Sequence, residues 1–172
     1  MKEFIFQSET CVPRPRSEVF PFFAEARNLQ TLTPPWLKFE VLTPAPIILR
    51  PGILIDYRIT VHGLPIRWRT EIAEWDPPHR FVDVQLRGPY TLWHHTHTFE
   101  ERDGGTLCRD RVRYRPRGGA LINWLFVRRD AERIFKYRQQ RLRELFVSTT
   151  NKSVVAGAMS PRVHLHLARG SV

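Results

Sequence analysis

Between Leu37 and Arg117 apolar and polar positions alternate with a period of two, and from Ala120 to Phe146 the period becomes helical. The first stretch therefore predicts strands. LKFEVL sets Leu37, Phe39 and Val41 against Lys38 and Glu40. GILIDYRITVHG places Ile53, Ile55, Tyr57, Ile59 and Val61 on one face, and LPIRWRTEIAEW does the same with Ile66, Trp68, Thr70 and Ile72. RFVDVQLRG, YTLWHHTHTFEE and GTLCRDRVRYRPR follow, separated by the breakers HGLP, DPPH, RGPY and RDGG. Consecutive antiparallel strands are the reading, and the Asp-Gly pair in RDGG signals a tight hairpin.

Before this run, residues 2–11 set Phe4 and Phe6 against Ile5 and predict a first strand. Pro15 and Ser17 then open a short helix with Val19, Phe20, Phe22 and Phe23 as its apolar face. A second short helix is expected over residues 26–32, ended by Pro34-Pro35. After the strands, Leu121, Trp124, Leu125, Ala131, Ile134, Phe135, Leu142, Leu145 and Phe146 form a stripe that should face a core. The arginines and lysine of that helix, Arg138 among them, are assigned to its outer face. Residues 148–172 fit neither period and read as a flexible tail, although VHLHLA within it could add a short strand. The fold class is α+β: an antiparallel sheet packed by one long C-terminal helix, in a domain over residues 1–147.

This order resembles the helix-grip fold of the START/Bet v 1-like, or SRPBCC, superfamily. Gly63, Pro65 and Trp68, then Trp75, Pro77-Pro78, Phe81, Asp83 and Gln85, then Gly88-Pro89-Tyr90, Trp93, His95, His97 and Phe99 carry a closer likeness. They resemble a group of ligand-binding SRPBCC proteins, some of them fused to epimerase-like domains and labelled cell division inhibitors. The resemblance covers residues 2–147. It implies a curved seven-stranded sheet around the long helix, with a ligand cavity between them. No epimerase-like segment follows the helix, so no fusion-derived function is expected.

Faces sort the histidines of YTLWHHTHTFEE. Trp93, His95, His97 and Phe99 share one side of a strand, and the aromatics assign it to the cavity; His94 points outward. A hairpin centred on Asp103-Gly104 pairs His97 with Asp110, His95 with Val112, Trp93 with Tyr114 and Phe99 with Cys108. Phe81, Asp83 and Gln85 share a face that the resemblance turns toward the cavity. Hydrophobicity alone would instead bury Val82, Val84 and Leu86. Three chemistries are open to His95 and His97: a metal site with Asp110 as third ligand, acid–base catalysis by His97 and Asp110, or a polar patch that orients a ligand. The third is preferred, and no metal or cofactor is expected. The other candidate ligand contacts are Tyr57, Trp68, Trp93, Tyr114 and Ile134, in an otherwise apolar pocket.

Charge adds one further candidate. The net charge is +10, three of the cations (Lys152, Arg162, Arg169) falling in the tail. Arg109, Arg111, Arg113, Arg115 and Arg117 recur at period two and form a basic ridge on the outer sheet face. Such a ridge could meet an acidic lipid surface or RNA, but no aromatics interleave with it, which disfavours nucleic acid. Solvated arginines paired with acids such as Glu71 and Glu100 are the simpler reading. Cys11 and Cys108 make no disulfide framework. MKEFIFQSET has no signal-peptide pattern, so a cytoplasmic location is expected. Phosphate-loop, nucleophile-elbow and HExxH patterns are absent from the sequence.

Overall fold

The period-two stretches form seven antiparallel strands in the computed structural model, which describes residues 2–147. They are β1 Phe4–Val12, β2 Glu40–Val41, β3 Leu54–Val61, β4 Leu64–Asp76, β5 Arg80–Arg87, β6 Tyr90–Arg102 and β7 Gly105–Pro116. Their order in the sheet is β1-β7-β6-β5-β4-β3-β2. Two short helices, α1 Arg16–Ala24 and α2 Asn28–Leu32, link β1 to β2. The C-terminal helix begins as α3 Gly119–Ile122, widens into a π turn over Asn123–Val127 and continues as α4 Arg128–Val147. The expected tail at 148–172, including VHLHLA, lies outside the described residues.

The β6–β7 hairpin has the anticipated register. Arg102 pairs with Gly105, so two residues make the turn, and His97 faces Asp110 while Trp93 faces Tyr114. Both turn residues, Asp103 (φ 50°) and Gly104 (φ 77°), sit at positive φ, as a turn matching the strand twist requires. Cys11 pairs with Leu107 and not with Cys108, so the two thiols lie on opposite faces and both are free.

The helices close the concave face. Val19, Phe20 and Phe23 of α1 bury against Phe81, Phe99 and Leu142. Each such side chain contributes about 1.5–3 kcal/mol when fully buried. At the other end of the sheet α4 packs directly on β1: the Phe6 and Phe135 rings lie 4.5 Å apart, and Gln139 Nε2 donates to Ser8 Oγ at 2.9 Å. The helix therefore sits over β1 and β7, and the space it leaves lies over β3 to β6.

Two expectations need correction. Residues 37–42 are not one strand. Pro35–Leu37 form a single helical turn and Lys38 adopts a left-handed conformation (φ 43°), which leaves Glu40–Val41 as the strand. The helical stripe also fails at its start, because Leu121 (65% exposed), Trp124 (68%) and Leu125 (38%) face outward. The π turn, wider than 3.6 residues, shifts the phase there, so Asn123 is buried instead and accepts a hydrogen bond from the Tyr114 hydroxyl at 2.9 Å.

Three of the five ridge arginines, with Arg58 and Arg69, are engaged across strands. Arg109 meets Glu9 and Glu100, Arg113 and Arg115 meet Glu3, Arg58 meets Glu40, and Arg69 meets Asp56. Much of the ridge is thus taken up in cross-strand ion pairs, a common use of charge on a solvated sheet face. Glu100 is one of the two acids expected there.

Candidate ligand-binding site and its polar floor

A cavity of about 710 Å³ lies between the sheet and the helices. Its walls come from alternate residues of β3 and β4 (Ile55, Tyr57, Ile59; Ile66, Trp68, Ile72), from α2 and from Ile134 and Phe135 of α4. Alternation explains this directly: each strand presents every second side chain, and those are the apolar ones. Phe81, Asp83, Trp93, His95 and His97 complete the predicted residues that line it. His62 and Gly63 (φ 49° and 82°), which turn the β3–β4 hairpin, also line it, and His62 Nε2 hydrogen-bonds Asp130 of α4 at 2.8 Å.

Three predicted contacts do not line it. Gln85 folds back on the RGPY turn, where Nε2 donates to the Tyr90 carbonyl at 2.8 Å and Oε1 accepts from the Tyr90 amide at 3.3 Å. Gly88 leaves room for it, since a Cβ there would sit 2.4 Å from Gln85 Oε1. Tyr114 is covered by Tyr90 and Trp93 and held by Asn123. Asp110 points inward as expected, but its strand lies under α4, so the helix covers it and the two histidines stand between it and the cavity.

The opposite choice of face on β5 is excluded in part: Asp83 lines the cavity and Leu86 is 54% exposed, while Val82 is fully buried on the other side.

His95 and His97 are buried with rings 3.7 Å apart, and His97 stacks on Phe81 at 4.2 Å. Each imidazole is held between two carboxylates. Behind, His95 Nε2 donates to Asp110 Oδ1 at 2.9 Å; His97 Nδ1 lies 2.9 Å from the same oxygen, poorly aligned for a hydrogen bond. In front, His97 Nε2 donates to Asp83 Oδ2 at 2.9 Å, and His95 Nδ1 lies 3.5 Å from that atom.

Arg138 joins the cluster from α4. It is 7% exposed, its guanidinium lies 3.6 Å from Asp110 Oδ1 and its Nε has no hydrogen-bond partner. Its assignment to the outer face was wrong. The signal was present in the spacing: Arg138 follows Ile134 by four residues and precedes Leu142 by four, and so fills a gap in the apolar stripe.

These charges divide the histidines. Burial pushes His97 down, but its close contacts with the Asp110 and Asp83 carboxylates outweigh it and raise its pKa. Burial and the neighbouring His97 charge lower His95. Burial would raise Asp110, but Arg138 and the two histidines hold it well below the usual carboxylate range. Asp83 is lowered for the same kind of reason, by His95, His97 and Arg138 against its burial. Of the two imidazoles, His97 is thus the more readily protonated.

Residues 12–142 match the model of the family described as polyketide cyclase/dehydrase and lipid transport. The chain belongs to that family. The fold agrees. Protein Ms6760 from Mycobacterium smegmatis superposes with a TM-score of 0.64 at 20% identity, over 84% of this chain and 92% of its own. TTHA0849 from Thermus thermophilus gives 0.57 at 21% identity, over 85% and 99%. Ara h 8.0201 gives 0.58 at 16% identity, over 82% and 98%. The architecture is the helix-grip fold of the SRPBCC superfamily. No curated protein matches the chain. The cell-division label of the resembled group is carried by none of these matches. Among the described residues no helix is long and apolar enough to cross a membrane.

Proposed function

We propose that the protein binds a small, largely apolar molecule with one polar end, such as a lipid, polyketide, isoprenoid or aromatic metabolite. The observation that carries this reading is the cavity. At about 710 Å³ it falls in the size range of small-molecule sites, with apolar walls and convergent polar groups at one place. The aliphatic or aromatic body would lie against Tyr57, Trp68, Trp93 and Ile134. The polar end would meet Asp83, His95 and His97. The family description, which joins cyclases, dehydrases and lipid transport, supports a ligand of this kind. Native mass spectrometry of the purified protein, with and without added fatty acids and polycyclic aromatics, tests it. A retained or accepted apolar ligand at one per chain is expected; a protein that takes none of them overturns the reading.

A second reading is an enzyme of cyclase or dehydratase type. It is favoured by the raised pKa of His97, whose Nε2 faces Asp83 at the cavity floor. His97 would act as general acid and Asp83 would receive the returning proton. This differs from the His97–Asp110 pair expected from register, because Asp110 is screened by the histidines. The test is turnover of polyketide-like substrates by His97→Gln against the parent protein. Loss of turnover with ligand binding retained supports catalysis; equal turnover removes it.

A further inference from the structure

The polar floor is arranged for more than a proton. Asp110 lies behind both imidazoles and within 2.9 Å of one nitrogen of each, His95 Nε2 and His97 Nδ1. With His95 Nε2–H held by Asp110, and with an arriving ion displacing the His97 Nε2 proton to solvent, both rings are neutral and His95 Nδ1 and His97 Nε2 carry lone pairs. Those two lone pairs point to the cavity side, where Asp83 Oδ2 adds a third donor. The three atoms lie within 4.8 Å of one another. Asp83 Oδ2 is 2.9 Å from His97 Nε2 and 3.5 Å from His95 Nδ1. Donors bound at about 2.1 Å to one ion stand roughly 3.0–3.4 Å apart, so little movement is required.

We propose that Asp83, His95 and His97 form a site for one divalent transition-metal ion, zinc or iron(II), open to the cavity. Two imidazoles and a carboxylate suit these ions, and three protein ligands leave coordination positions for a small molecule. Asp110 is the outer carboxylate, the usual partner of a metal-bound histidine: it accepts from His95 Nε2 and stands 2.9 Å from His97 Nδ1. Charge agrees: with both rings neutral, Asp83 and Asp110 against Arg138 leave one net negative charge for a dication to meet. Arg138 sits against Asp110 and reaches the cavity lining beside the rings, where it balances the outer carboxylate. The third ligand is Asp83 and not the Asp110 suggested by strand register, because Asp110 has no open path to the ion. An ion here would present a Lewis acid to an oxygen on the polar end of a cavity ligand. The site stands or falls independently of which apolar ligand the cavity takes.

The experiment is metal binding to the full chain after treatment with a chelator, read by calorimetry with Zn²⁺, by the visible absorption of Co²⁺ and, without oxygen, by Fe²⁺ uptake. One ion per chain is expected, with a Co²⁺ spectrum free of thiolate bands. Asp83→Asn, His95→Gln and His97→Gln are each expected to abolish it, and Asp110→Asn to weaken it by about 10–100-fold. Binding of an apolar dye, measured on the same variants, reports whether the cavity survives. Imidazole nitrogen NMR of the unsubstituted protein needs no variant: Zn²⁺ must perturb Nδ1 of His95 and Nε2 of His97. No uptake by the parent protein, uptake that persists in the variants, or NMR changes confined to other histidines overturns the proposal.

Discussion

Arg138 of α4 reaches within 3.6 Å of Asp110 on β7, and both side chains are buried. This contact ties the long helix to the charged floor of the cavity. A buried ion that loses its partner is costly, so Arg138→Ala is expected to destabilise the protein by about 3–5 kcal/mol in urea unfolding. A loss near 1 kcal/mol, the scale of an exposed pair, would show that the histidines alone neutralise Asp110.

The phase shift at the π turn separates two groups of apolar residues on one helix. Leu142 is 1% exposed, and Leu142→Ala should cost about 2–5 kcal/mol. Leu121→Ala and Trp124→Ala, on the exposed first turns, should change stability by no more than about 0.5 kcal/mol. Similar losses at all three positions would mean that the early turns are packed against a core after all.

Cys108 is buried, and burial together with the nearby Asp110 charge pushes its thiol up to about 12. A raised thiol pKa keeps the group protonated and unreactive until the pH approaches that value. At pH 8 an aromatic disulfide reagent should therefore label the exposed Cys11 in the native protein and reach Cys108 only after denaturation. Rapid labelling of both thiols would contradict the packing of β7 against α1.

Ile134 projects from α4 into the cavity. Ile134→Trp should fill part of that space and lower the affinity for a fluorescent apolar dye by at least about tenfold, with unfolding shifted far less than by Leu142→Ala. The nearby Trp68 and Trp93 provide an independent signal, since dye bound in the cavity should quench their emission. Unchanged affinity and quenching in the variant would place the dye elsewhere.

Strand periodicity and one Asp-Gly turn were enough to divide the histidines by face and to pair His97 with Asp110, because both depend on local geometry. The same rules could not rank Asp83 against Val82, since Phe81 and Val82 are both buried, on opposite faces. Gln85 shows another limit. Alternation with Phe81 and Asp83 turns it inward, but its amide is spent on the turn at Tyr90, and hydrogen bonding across a turn leaves no mark in a hydrophobic pattern.

What the sequence determined by itself was the order of elements, the inward face of β3, β4 and β6, and the β6–β7 register. Period and turn chemistry act between neighbouring residues, and each strand's pleat carries them along its length. What only the tertiary structure decided was where the long helix lies. Placed over β1 and β7, it covers Asp110, inserts Arg138 and leaves Asp83, His95 and His97 facing open space. That placement follows from packing between segments more than a hundred residues apart in the chain, such as Phe6 on Phe135 and Ser8 on Gln139. The physical reason is that a helix settles where its stripe fills the sheet most closely, and the unfilled remainder becomes the cavity.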